Sequence, residues 1–227
     1  MAFFYNLLVT VAFVVCALLF LLVFQKDGKH VHLWLAVMFV LFVFDNLLLY
    51  MDELMPGFAA LAAENRALYL TASNVSGLLI TFDYDRVVRF NRSAGPHRVP
   101  WPFWGVLAAA YVGLGILGES PWASAVTLAL RGIVPIAVIL AAIRPAEGDP
   151  AEPAIDKRTV HVLIAFQVAN SVEMVLVYCG IELMPGRFVT IEAMSIACIV
   201  WGVWYCLRIL GSHEDAPAEQ GERKSVV

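Results

Sequence analysis

Charge is scarce in this chain. Only 15% of its 227 residues are Asp, Glu, Lys or Arg, while 61% are apolar. Soluble domains carry about 25% charged and about 45–50% apolar residues, so the soluble globular class is excluded. Motifs of soluble enzymes are missing too: there is no Gly-rich phosphate loop, no nucleophile elbow and no His-Glu-x-x-His. No enzymatic activity and no cofactor are therefore expected, and no nucleic-acid partner. The four cysteines, Cys16, Cys179, Cys198 and Cys206, all fall inside apolar runs at no metal-ligand spacing. They read as small apolar fillers and exclude a disulfide framework.

What the chain has instead is long apolar runs. Seven are separable, at 3–24, 33–51, 66–83, 101–118, 121–143, 159–180 and 188–210. Most reach the roughly 20 residues that an α-helix needs to cross about 30 Å of hydrocarbon. The alternating short segments of a β-barrel are not seen. The first run lacks a basic flank and is too long for a signal peptide's apolar core, so it is expected to be a helix of the bundle. The expected fold is an all-α, seven-transmembrane helix bundle, domain 1–210, followed by a polar, disordered tail, 211–227.

Lys and Arg show which way up the bundle sits. Lys26, Lys29, Arg86, Arg89, Arg92, Arg98, Arg144, Lys157, Arg158, Arg208, Arg223 and Lys224 fall on one side, twelve of the fifteen. Arg66 and Arg187 fall on the other, and Arg131 lies inside a span. The positive-inside rule then places the N-terminus outside and the C-terminus in the cytoplasm of a multi-pass plasma-membrane protein of the bacterial inner-membrane type. Asp52, Glu53, Glu64, Glu119 and Glu182 make the outer loops acidic. That is either ordinary solvated loop charge or a vestibule that concentrates cations. The five histidines fall on the basic side and read as solvated loop residues.

A pentapeptide occurs twice, Glu-Leu-Met-Pro-Gly at 53–57 and again at 182–186. Each copy closes an apolar run with an acid upstream, Asp45 or Glu173, and a tyrosine five residues after that acid, Tyr50 or Tyr178. Superimposing the copies pairs the second run with the sixth. Two three-helix halves follow, 1–92 and 121–210, with 101–118 as a joiner. Equivalent spans four apart give both halves one orientation, so the internal repeats are parallel. This three-plus-one-plus-three layout resembles that of the SWEET sugar carriers, in architecture alone, since their Pro-Gln dipeptide does not occur here. Asp85-Arg86, at the inner end of the third run, resembles the acid-Arg pair of G-protein-coupled receptors over three residues, without their Asn-Pro motif in the seventh span. A basic helix end meeting anionic lipid headgroups accounts for it as well. No span interior carries a lysine, which excludes the retinal Schiff base of microbial rhodopsins.

Four ionisable residues lie within the runs: Asp45, Arg131, Glu173 and Glu192. Each costs about 2.5–3.5 kcal/mol at a helix centre, so they should face one another and not lipid. Polar residues share their helical faces: Gln167, Asn170 and Glu173; Ser124, Thr127 and Arg131; Tyr69, Ser73 and Ser76; Glu192 and Ser195. Asn6 and Thr10 add a contribution from the first run. Pro135, four residues after Arg131, leaves that carbonyl without its helical donor. Arg131 can neutralise one acid through a bidentate contact, and a proton on one of the others balances the site. Such a site exchanges its proton for a cation.

The expected function is a small membrane carrier for a polar, cationic or zwitterionic small molecule, with proton coupling. Asp45, Glu173 and Glu192 supply negative charge, Arg131 clamps, Gln167 and Asn170 hydrogen-bond, and Tyr50 and Tyr178 wall the outer entrance. Two other readings stand beside it. One is a seven-helix sensor that uses the same pocket and signals to a cytoplasmic partner. The other is a structural subunit, in which the buried charges only hold helices in register. Beyond the lipid bilayer and the ligand, a second copy of the chain is the remaining partner class.

Overall fold

The computed structural model describes residues 2–49, 65–91, 99–117, 120–143 and 189–211, together with 55, 57, 165, 172 and 176. Six helices fall within them: α1 (Ala2–Asp27), α2 (His30–Leu49), α3 (Arg66–Asn91), α4 (Trp101–Ile116), α5 (Pro121–Ile143) and α6 (Val189–Gly211). No strand occurs among the described residues, and the chain is all-α there. Three stretches are helical, long and apolar enough to cross a membrane: Phe4–Asp27, His30–Leu47 and Glu192–Gly211. The expected sixth run apart from 165, 172 and 176, the second pentapeptide, the loop at 144–158 and the tail after 211 lie outside the described residues. So the repeat is not visible as two superimposable halves.

The α1–α2 link is short because Gly28 permits it. Its φ of 68° lies in the left-handed region, where a Cβ is strained. Its N–H closes α1 by donating to the Phe24 carbonyl at 2.8 Å, and the Asp27 carboxylate accepts from the Lys29 N–H at 3.0 Å. α2 therefore begins at His30 and runs back antiparallel to α1.

Two apolar clusters follow. The larger gathers α1, α2 and α6 around Phe13, Phe20, Phe39, Cys198 and Cys206. Phe20 stacks on Phe39 at 5.5 Å and on Tyr205 at 5.8 Å between ring centres. Gly202 makes room for them, since a Cβ there would come within 3.0 Å of Phe39 Cζ. The smaller cluster joins α3, α4 and α5 through Trp104, Leu107, Tyr111 and Val138. α3 belongs to both: Tyr84 and Val87 enter the first, while Leu78 and Phe82 pack on the second. Outward faces are apolar as well, with Phe4, Leu8, Val106, Ile133 and Val200 exposed, as expected of a surface solvated by lipid tails.

His32 corrects the expectation of solvated histidines. It is only 1% exposed. Nδ1 meets the Asp27 carboxylate at 2.9 and 3.0 Å, and Nε2 meets the Tyr205 hydroxyl at 2.9 Å. Lys26 Nζ donates to the Leu210 carbonyl at 3.0 Å, at the end of α6. The basic end of α1, α2 and α6 is thus tied by polar side chains.

α3 and α4 approach most closely at Gly115, where a Cβ would stand 2.6 Å from Thr71 Cα. Backbone cannot yield there as a side-chain tip can. Gly115→Ala is expected to cost about 1–3 kcal/mol by overpacking. Thermal unfolding in detergent checks it, with Gly105→Ala as control, because nothing lies within 4 Å of that position.

Candidate functional site

The site is built on the seam where α2, α3 and α5 meet. Asp45 sits near the end of α2, one turn before Leu49. α3 runs antiparallel beside it and presents Ser73, Ser76 and Gly77 on one face. Ser76 Oγ donates to Asp45 Oδ1 at 3.0 Å. Arg131 reaches across from the middle of α5. Its Nη1 donates to Ser73 Oγ at 3.1 Å, and its Nη2 stands 3.5 Å from the same Asp45 Oδ1.

Gly77 lets the guanidinium lie flat on α3. A Cβ at Gly77 would meet Arg131 Nε at 3.0 Å. A larger side chain would lift the arginine away from Ser73. Pro135 is buried one turn beyond Arg131, inside an otherwise continuous α5. It cannot donate back to the Arg131 carbonyl, so a polar backbone group is left beside the charge.

Arg131 approaches Asp45 through one carboxylate oxygen, and that oxygen is shared with Ser76. Among the described residues Asp45 Oδ2 accepts no hydrogen bond. Nor is the pair sealed: the Asp45 and Arg131 side chains remain 33% and 28% exposed. A carboxylate oxygen with spare acceptor capacity can take a further N–H donor such as an ammonium.

The other expected residues divide. Glu192 is half-buried in the first turn of α6, a helix whose main packing partner among the described ones is α1. Tyr50, Gln167, Asn170, Glu173 and Tyr178 lie outside the described residues. Asn6 and Thr10 were expected to line the pocket, but they tie α1 to α2. Asn46 Nδ2 donates to Thr10 Oγ1 at 2.7 Å, and Thr10 donates to the Asn6 carbonyl at 2.8 Å. Asn74 does the same between α3 and α4, donating to the Tyr111 carbonyl at 3.0 Å. Among the described residues no three His, Cys, Asp or Glu gather as a metal-ligand set. A groove of about 680 Å3 on α6, lined by Ala193, Ile196, Ala197, Val200, Trp201 and Trp204, has no charged side chain and stands apart from this site.

Sequence reasoning missed Asp83. It is 1% exposed, and neither carboxylate oxygen has a hydrogen-bond partner. The third apolar run was read as ending there, but α3 continues for two further turns to Asn91. Seven residues separate Asp83 from Ser76, so both fall on one stripe, roughly 10 Å apart along the axis. That spacing was the available signal. Thr81 and Asp85, at most 1% exposed, make the same stretch of α3 polar and buried.

If Asp45 and Arg131 interact as drawn, Asp45→Asn and Arg131→Gln must be less than additive. Thermal unfolding of both single variants and the double variant should give a coupling energy of about 1 kcal/mol. Strict additivity is the contrary result. A scan against protein-family models, a search of curated proteins and a search of solved structures each find no match to this chain.

Proposed function

We propose that the protein is a small multi-pass carrier of the plasma membrane. It takes a polar cationic or zwitterionic molecule at the Asp45–Arg131 seam and exchanges it for a proton. On this reading the bundle has seven spans in a three-plus-one-plus-three order, with the N-terminus outside. Gln167, Asn170, Glu173 and Glu192 complete the pocket, and Tyr50 and Tyr178 flank its mouth. The observation that supports it most is the partly satisfied Asp45 carboxylate beside Arg131. Opposite charges from two helices meet on a third, held by serines, with one carboxylate oxygen left over.

The sensor reading uses the same pocket but needs no inner route. Asp83, two turns beyond Ser76, favours the carrier, because it sets a buried carboxylate between the pair and the basic end. A buried carboxylate without a partner is expensive to keep, and a stepping site for a cation is a use for one.

A thermal-shift screen of the detergent-purified protein against amines, amino acids and divalent metals at two pH values tests the pocket. A stabilising ligand is expected among the amines or amino acids. Arg131→Ala and Glu173→Ala should each abolish its effect, and unchanged responses in both would remove the assignment. Asp83→Asn separates the two readings. A carrier should keep ligand stabilisation but lose most uptake into proteoliposomes, whereas a sensor should show no uptake in either form.

A further inference from the structure

Arg86 lies on α3 five residues before its end, at the same end of the bundle as the α1–α2 turn. Its guanidinium carbon is 4.6 Å from the centre of the Phe82 ring and 5.9 Å from each of Trp34 and Trp101. Three elements build this box: Trp34 from the first turns of α2, Phe82 from α3 and Trp101 from the first position of α4. The rings hold one another, Phe82 standing 6.2 Å from both tryptophans and 5.0 Å from Trp104. A cation among aromatic faces is attracted by their quadrupoles, yet its charge is not neutralised.

Asp83, one turn away, does not neutralise it: among the described residues no ion pair or hydrogen bond engages Arg86. Its Nε is buried and has no acceptor. A planar cation fixed on three rings, with its donors unspent, is prepared for an acceptor from outside the chain. The surroundings say which. Trp101 is 70% exposed, and Pro100 beside it is exposed too. Tryptophans at such positions stand at headgroup level. The start of α4 favours an anion as well, having no side-chain cap and no acid in its first turn.

We propose that Arg86, boxed by Trp34, Phe82 and Trp101, binds the phosphodiester of an anionic phospholipid headgroup. The guanidinium donates to the phosphate oxygens, the rings fix its plane, and Trp101 seats the lipid's glycerol region. The site is separate from the Asp45–Arg131 pair and does not depend on the carrier reading.

Native mass spectrometry of the detergent-purified full chain tests it, with phosphatidylglycerol, phosphatidylcholine and inorganic phosphate as probes. The wild-type protein should retain one tightly held phosphatidylglycerol that Arg86→Gln holds roughly tenfold or more weakly. Arg86→Lys should fall between them, because it keeps the charge and loses the fork. Phosphatidylcholine held as tightly, and lost in the same variant, still supports phosphodiester recognition. Displacement of lipid by millimolar inorganic phosphate would also support a phosphate site, with solution as its source. Should Arg86→Gln fail to fold, Trp101→Leu replaces it, and weaker retention is again expected. Equal lipid retention by the wild type and a folded variant overturns the proposal.

Discussion

A guanidinium in the middle of a largely apolar helix has to meet negative charge, or it is costly to bury. On insertion scales the isolated cost is about 2.5–3.5 kcal/mol for an arginine, and an aspartate is in the same range. Arg131 and Asp45 come from different helices, so they can meet only over a third. α3 provides the surface. Its serines give one acceptor and one donor, and bare Gly77 lets the long side chain cross. The convergence of α2, α3 and α5 is the solution to that electrostatic problem. Everything apolar is then arranged on either side of α3, one cluster toward α1 and α6 and the other toward α4 and α5.

The two ends of the bundle differ in character. At the basic end, where α1, α2 and α6 meet, the packing is aromatic and polar groups are spent on each other. Asp27, His32 and Tyr205 form one continuous chain across α1, α2 and α6, and Lys26 caps the last carbonyls of α6. Toward the other end, Asn46, Thr10 and Asn6 fix α1 to α2, but the neighbouring Asp45 stays partly open. Consecutive residues of one helix thus serve opposite purposes. Asn46 faces α1 and is consumed by structure; Asp45 faces α3 and is not.

Much of this was legible in the residues. Charge within apolar runs is rare enough that Asp45 and Arg131 could be placed in one cluster, with Glu173 and Glu192, from cost alone, and α5 occupies the expected run, 121–143. Other features were hidden for physical reasons. Helical period shows which residues share a face, but not whether a neighbour will claim their hydrogen bonds, so Asn6 and Thr10 read as lining when they are ties. His32 read as loop because the link beside it was taken to be longer than Gly28 and Lys29. With so short a link, His32 is already on the inner face of α2. Asp83 was lost because hydropathy ends a span at its first charges, whereas the backbone goes on hydrogen-bonding to Asn91.

The geometry of the pair bears on whether it is mere scaffolding. A structural ion pair gains most when both carboxylate oxygens and both terminal nitrogens interlock, because burial makes each unspent lone pair costly. Here one oxygen takes both contacts, the arginine stands off at 3.5 Å, and roughly a third of each side chain is open. The serines stabilise this incomplete arrangement without closing it: Ser73 turns Nη1 aside, and Ser76 occupies the oxygen that a fork would share. Held in this way, Asp45 keeps one oxygen able to accept a further donor. Asp83, two turns beyond Ser76 toward the basic end of α3, is a second buried carboxylate with no hydrogen-bond partner.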